Sequence, residues 1–320
     1  VRILVTGATG YLGAEVVRAL LENELFTVIA LGRDLEKFER LSHWCGEGSA
    51  RLQPLIADVC SLENFPSGIE AVVHAAALRA IQGDEDHRAA TVQVNIAGTS
   101  NLLRLAARHE LRRFVFISSQ SVYGRCPSPW DESMQPDPQG VYAETKYAGE
   151  QLVSSFEDAL DFVVLRLSRL YGVSFAMRWG EIAGKFSQLV CEGQSVPIYG
   201  NGTQRFDLLH VRDAAQAVTL LLRAHPKGWN SVYNIGSGGS VSINELVTLF
   251  SELAVELGLP TVVVERHPEL GTNPPPHLEL DITRVRTELG WQPHWTLRDG
   301  LREYLNAYSR VGGSSTKTQM

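Results

Sequence analysis

An α/β fold is predicted, built on a doubly wound parallel sheet with a smaller α+β region in its C-terminal half. Three features of the 320-residue chain predict it. The N-terminus reads as a strand, a glycine-rich turn and a helix. Apolar, β-rich runs then alternate with helical patterns through the first half, which implies parallel strands joined by crossover helices. Those strands are apolar at nearly every position, as expected when helices cover both faces of a sheet.

The opening strand stops at Thr6-Gly7, and Gly10 and Gly13 follow before an apolar helical pattern at Val16, Val17, Leu20 and Leu21. Further strands are expected over 26–31, 51–56, 71–74, 114–118 and 162–167, with helices over 91–107 and 142–156. After Arg169 the pattern loosens. Gly- and Pro-containing stretches at 196–202, 236–240 and 273–276 separate short elements. Strands are expected at 231–235 and 261–265, and helices at 214–223, 243–258, 282–289 and 298–307. The expected organisation is a dinucleotide-binding Rossmann domain over 1–168 and a mainly substrate-binding region over 169–310. Segments at about 208–236 return to the first domain, and 311–320 form a disordered tail without an apolar anchor.

Composition narrows the function classes. Hydrophobic residues make up 44% of the chain, enough for a real core and too many for disorder. The apolar runs fall short of a membrane span, and no leader is expected ahead of a strand that starts at residue 1. A net charge of −7 with scattered Lys and Arg argues against nucleic acid. The cysteines, Cys45, Cys60, Cys126 and Cys191, lie far apart without metal or redox spacing. Reduced thiols, no metal and a cytoplasmic location are the expectation.

The first turn carries the strongest chemical signal. A helix N-terminus offers unpaired N–H groups and a positive dipole end to a pyrophosphate. Glycines at 7, 10 and 13 let the backbone turn and approach it. A dinucleotide cofactor is therefore expected on Gly7, Thr9, Gly10, Tyr11, Leu12 and Gly13. In NAD-binding units an acidic residue ends the second strand, whereas an arginine there accommodates a 2′-phosphate. Here Gly32 stands at that position and Arg33 follows. NADP is expected over NAD on this ground. Arg33 can also be a solvated loop residue, and Asp34 can cap the next helix or turn to the ribose. Asp58 and Val59 end the third strand, with a helix cap as the alternative for Asp58. Small residues Ala75, Ala76 and Ala77 end the fourth, and let a ribose phosphate lie against the backbone.

A catalytic pair is placed by spacing. Tyr142 and Lys146 stand four apart at the start of a helical segment and so share one face. A nearby ammonium stabilises a phenolate, and the tyrosine can then take a proton from a substrate hydroxyl. Ser119, at the end of the fifth strand, presents a hydroxyl to the same crevice. Ser118 and Ser121 are alternatives for that role within ISSQSVYG.

TGATGYLG, ADV, HAAALRA, VNIAGT, ISSQSVYG and YAETK occur in order, followed by LRLSRLYG, GNGTQRFDLLHVRD and LGWQP. Over residues 1–305 the chain resembles the extended short-chain dehydrogenase/reductase family of nucleotide-sugar epimerases, dehydratases and reductases. The resemblance implies Tyr142 as acid/base, Lys146 tuning it and holding the nicotinamide ribose, and Ser119 as hydrogen-bond partner. It also implies cofactor contacts from Arg79 and Asn95, and substrate contacts from Gln120, Arg169 and Arg205. Arg205 would meet a diphosphate, or else form a surface ion pair with Asp207. A small-molecule substrate, in all expectation a nucleotide sugar, and a homodimer through the helices at 91–107 and 142–156 follow from the same likeness.

The chain departs from the family pattern in places. The family's asparagine in L-R-x-x-N is Arg169, and the proline after Tyr171-Gly172 is Val173. An arginine that precedes Asp281 in the family is missing from 267–276. The Thr-Asp-Glu of 4,6-dehydratases is Ser119-Gln120-Ser121 here, which disfavours dehydration. The expected function is an NAD(P)-dependent nucleotide-sugar epimerase acting by transient oxidation of a sugar hydroxyl. An NADPH-dependent keto-sugar reductase is the alternative, and a non-catalytic NADP sensor a third reading.

Overall fold

The computed structural model describes residues 1–79, 84–176, 181–223, 228–272 and 274–312. β1 (Arg2–Thr6) feeds α1 (Tyr11–Leu21), and the unit repeats as β2 (Thr27–Gly32) and α2 (Leu35–Cys45). β3 (Leu52–Ile56) ends this outward run, and the chain returns as β4 (Ala71–His74). α3 (Glu85–Val92) and α4 (Thr99–Arg108) lead to β5 (Arg113–Ser119); α5 (Val141–Ser154) leads to β6 (Asp161–Leu167). Beyond it come β7 (Arg169–Tyr171), α6 (Ile182–Cys191), β8 (Val196–Tyr199), β9 (Arg205–Phe206) and β10 (Leu208–His210). α7 (Val211–Arg223), β11 (Ser231–Ile235), β12 (Val241–Ser242) and α8 (Ile243–Leu257) follow. β13 (Val264–His267), β14 (His277–Leu278), α9 (Thr283–Leu289) and α10 (Leu297–Gly312) complete the order.

Seven strands form one sheet in the order β11-β6-β5-β4-β1-β2-β3, and every pairing in it is parallel. The sequence explains why both faces need cover. In β1, Ile3 and Val5 pack into the core on one side and Leu4 into the core on the other. α1 and α7 close the first face with Val16, Leu20, Val218 and Leu221. α4 and α5 close the second with Leu102, Leu105 and Val153. A third cluster, with Phe186, Ile198, Phe250, Leu301 and Leu305, joins α6, α8 and α10 beside β8. Within the later half of the chain, α7 packs on α1, and β11 pairs with β6 at one edge of the sheet.

Three local expectations are corrected. The single helix over 91–107 is instead α3 and α4 joined by one π-helical turn, Gln93–Gly98. The buried Asn95 lies within this turn. The strand at 261–265 is shifted to Val264–His267, because pairing starts where β8 supplies a partner, Val196 opposite Val264. α10 continues through residue 312, two residues into the expected tail, and the rest of that tail lies outside the described residues. Among the described residues no helix is long and apolar enough to cross a membrane.

One contact sets how closely α5 approaches the sheet. Gly149 lies over the ring of Phe116, and a Cβ there would sit 2.5 Å from the Phe116 Cζ. Phe116 is 1% exposed and has no room to yield. Gly149→Ala is expected to destabilise the chain by about 1–3 kcal/mol through overpacking. Thermal unfolding measures this, and an unchanged midpoint would refute the close packing of α5 on β5.

Candidate active site

The chain steps outward from β1 to β3 and then crosses back to β4, so a crevice opens between the carboxyl ends of β1 and β4. Open α/β sheets bind ligands at such a reversal. Gly7 turns the chain there with φ +65°, and a Cβ on it would lie 2.8 Å from the Ala76 backbone. Only glycine lets the loop lie against the end of β4. Gly10 caps α1 without a side-chain bond, which leaves the N–H groups of the first turn facing the crevice. Tyr11 anchors the loop from behind. Its hydroxyl donates to Gly172 O at 2.7 Å, and its carbonyl accepts from Ser174 Oγ at 2.8 Å.

A cavity of about 320 Å³ fills this crevice. Gly7, Thr9, Gly10, Tyr11, Leu12, Gly13, Arg33, Asp58, Val59, Ala75, Ala76 and Ala77 all line it, together with Lys37. The set fits a dinucleotide: an uncapped helix end for the pyrophosphate, and small residues for the ribose phosphate. At the far end Asp34 caps α2, accepting from the Lys37 N–H at 3.3 Å and pairing with Lys37 Nζ at 3.2 Å. Arg33 stands beside Asp58 at 3.6 Å. Asp58 caps no helix; it accepts from the Cys60 N–H at 2.8 Å and closes a turn. Lys37 escaped notice in the sequence, although it lies four residues after Arg33.

A second cleft of about 410 Å³ adjoins the first. Ser119, Gln120, Tyr142, Lys146, Arg169 and Arg79 line it. Ser119 ends β5, and its Oγ accepts from the N–H of Ser121 at 3.2 Å and from its hydroxyl at 3.0 Å. Ser118 is committed elsewhere, donating to Glu150 Oε1 at 2.5 Å. Tyr142 and Lys146 sit on successive turns at the start of α5, and the Arg79 guanidinium lies 5.8 Å from the Tyr142 ring. Lys146 is buried with its ammonium 4.3 Å from the Phe116 ring. Burial pulls its pKa down to about 8, against the opposing field of Glu150. The Gln120 Oε1 is buried without a hydrogen-bond partner. Asn95 stands behind this wall. It bonds both the N–H and the carbonyl of Leu78, and donates to Thr145 Oγ1 at 3.0 Å, stitching the loop after β4 to α5.

Behind Lys146 lies a pair that sequence reading missed. Arg166 donates to Glu150 through Nε and Nη2, the shorter bond being 2.7 Å. Its guanidinium also lies 4.8 Å from the Tyr123 ring. The signal was present: Glu150 is one turn after Lys146, and Arg166 interrupts an otherwise apolar strand.

At the cleft mouth Glu181 pairs with Arg79 at 3.0 Å and with Arg169 at 3.7 Å. Glu181 was likewise not singled out. Arg205 does not pair with Asp207, which is buried and receives Ser237 and Leu280. Arg205 is held by Glu245 at 3.1 Å and by the carbonyl and hydroxyl of Ser240.

Comparison with known proteins gives a consistent result. The family model "NAD dependent epimerase/dehydratase family" matches residues 3–236. A dTDP-glucose 4,6-dehydratase of Streptomyces niveus is 33% identical, over 96% of this chain and 92% of its own length. A UDP-glucose 4-epimerase of Mycolicibacterium smegmatis is 30% identical, over 94% and 96%. The structure of UDP-glucuronic acid 4-epimerase from Bacillus cereus, with UDP-glucuronic acid and NAD, superposes with a TM-score of 0.85. It is 23% identical, covers 97% of this chain and 100% of its own, and shows a shared fold.

The buried ammonium has a measurable cost. Its pKa falls from 10.5 unfolded to about 8 folded, so folding favours the uncharged amine. That contribution is complete above pH 10.5 and is lost as pH falls through 8. At pH 7 the charged form therefore opposes folding by roughly 3 kcal/mol. Lys146→Met is expected to unfold at a higher temperature than the parent at pH 7, with the gap narrowing between pH 8 and 10.5. A gap that is absent at pH 7, or flat with pH, refutes the charged, buried state.

Proposed function

Because the chain belongs to the NAD dependent epimerase/dehydratase family, an enzyme family of the extended short-chain dehydrogenase type, we propose that it is a nucleotide-sugar epimerase. The observation that carries this reading is one cleft lined by Ser119, Tyr142 and Lys146, opening beside a dinucleotide-shaped cavity. Residues 1–168 serve the cofactor in this reading, and 169–310 mainly the sugar.

Ser119 orients the sugar hydroxyl and Tyr142 removes its proton. The positive charge of Lys146 stabilises the phenolate that does so. When bound, the cofactor would accept a hydride from the same carbon and return it. In the return direction Tyr142 gives the proton back. Lys146 would also hold the nicotinamide ribose.

Epimerisation is favoured over water elimination by what surrounds Ser119. Elimination needs a free acid near the sugar, and Gln120 and Ser121 stand there. Among the described residues lining the cleft, Glu181 is the single carboxylate, and two arginines engage it.

For the cofactor we propose NADP. Gly32 leaves no acid for the ribose, Asp34 is spent capping α2, and Arg33 and Lys37 both line that end of the cavity. This cationic pair also supports the second reading, a keto-sugar reductase that exchanges NADPH.

Tyr142→Phe is expected to lower turnover on a nucleotide-sugar panel at least about 100-fold while cofactor binding is kept. Unchanged turnover would sink the assignment. The cofactor is identified by mass spectrometry of the denatured supernatant and by titration with NAD, NADP and their reduced forms. Arg33→Ala is expected to weaken NADP binding about tenfold or more with little effect on NAD. Equal affinities in the parent chain would make Arg33 a bystander, and retained NAD would favour the epimerase.

A further inference from the structure

The cleft carries an excess of positive charge that proton transfer at Tyr142 does not use. Among the described residues, Arg79, Lys146 and Arg169 line it against the carboxylate of Glu181. Lys146 is buried under the reacting end. The two arginines share Glu181, so among the described residues lining the cleft two guanidinium charges face one carboxylate.

Arg169 stands on the first residue of β7. It is 31% exposed, and its guanidinium carbon sits over the Phe206 ring, 4.9 Å from the centroid. Burial and the field of Arg79 both act against its charge, with Glu181 as partial compensation. A half-matched, partly desolvated guanidinium gains most from a second oxyanion in bidentate contact. Arg79 meets the same carboxylate from the other side and reaches across the Tyr142 ring.

Resting on the nucleotide-sugar reading above, we propose that Arg79 and Arg169, bridged by Glu181, form a receptor for a carboxylate on the sugar ring. A nucleotide-linked uronic acid is then the preferred substrate.

Sugar geometry picks the carboxylate over the diphosphate. In a uronic acid the carbon bearing the carboxylate is bonded to C4. A C4 hydroxyl within reach of Tyr142 therefore brings the carboxylate to the arginine lying against that ring. The diphosphate hangs from C1, on the opposite side of the sugar. A neutral sugar offers only a hydroxyl at this point, and leaves the second guanidinium without an anion.

Calorimetric titration of the full chain, saturated with its cofactor, tests this. The ligands are glucuronate and glucose linked to UDP and to dTDP, with UDP and dTDP alone as controls. The uronate is expected to bind at least tenfold more tightly than the matching glucose compound. Arg169→Asn is expected to bring that ratio to about one. Arg79→Gln, at a 65% exposed side chain, gives the same loss of ratio if the first variant does not fold. A parent chain without preference overturns the receptor and leaves the nucleotide-sugar reading standing. So does a variant that weakens free UDP or dTDP as much as the uronate, which moves Arg169 to the diphosphate. Failure of every sugar nucleotide to bind overturns the nucleotide-sugar reading itself.

Discussion

The seam between α5 and the strands β5 and β6 must hold three charges away from water. Lys146, Glu150 and Arg166 are each 5% exposed or less, and they sum to one positive charge. Buried charge is costly unless partners and hydrogen bonds offset it. Here Arg166 and Ser118 bond to Glu150 and Phe116 offers its ring face to Lys146, while Arg166 Nη1 is left without a partner. The position of α5, the choice of Ser118 as an internal bond and the contact at Gly149 all answer to this requirement. So does the placement of Tyr142, one turn before Lys146. The apolar clusters on both sheet faces supply the stability that this seam consumes.

Most of the frame was legible in the sequence because its signals are local. The glycine turn, the apolar strands and the Tyr142–Lys146 spacing each rest on a few adjacent residues. What escaped was pairing across distance. Glu150 and Arg166 are 16 residues apart and meet only once β6 lies under α5. Glu181 meets Arg79 across 102 residues. The alternative partner for Arg205 failed for a related reason: Asp207 is two residues away in sequence, but it lies beyond the end of β9, buried and bonded to Ser237 and Leu280. The π-helical turn at Gln93–Gly98 also left no trace in periodicity, because a single wide turn shifts the pattern by one residue.

The two ends of the site follow different rules. The cavity proposed for the cofactor is lined by glycine-rich backbone, small side chains and an uncapped helix end. The cleft proposed for the sugar is lined instead by charged and polar side chains. Gln120, Arg169 and Glu181 sit outside the seven-stranded sheet, where loops and short elements meet.

Tyr11 joins these two ends. Its hydroxyl and its carbonyl both hold the segment just after β7, at Gly172 and Ser174. The turn that would grip the pyrophosphate is therefore pinned to the strand that presents Arg169. In the proposed reading, whatever steadies one end steadies the other, and by linkage that coupling is reciprocal: each ligand would help to hold the backbone on which the other rests.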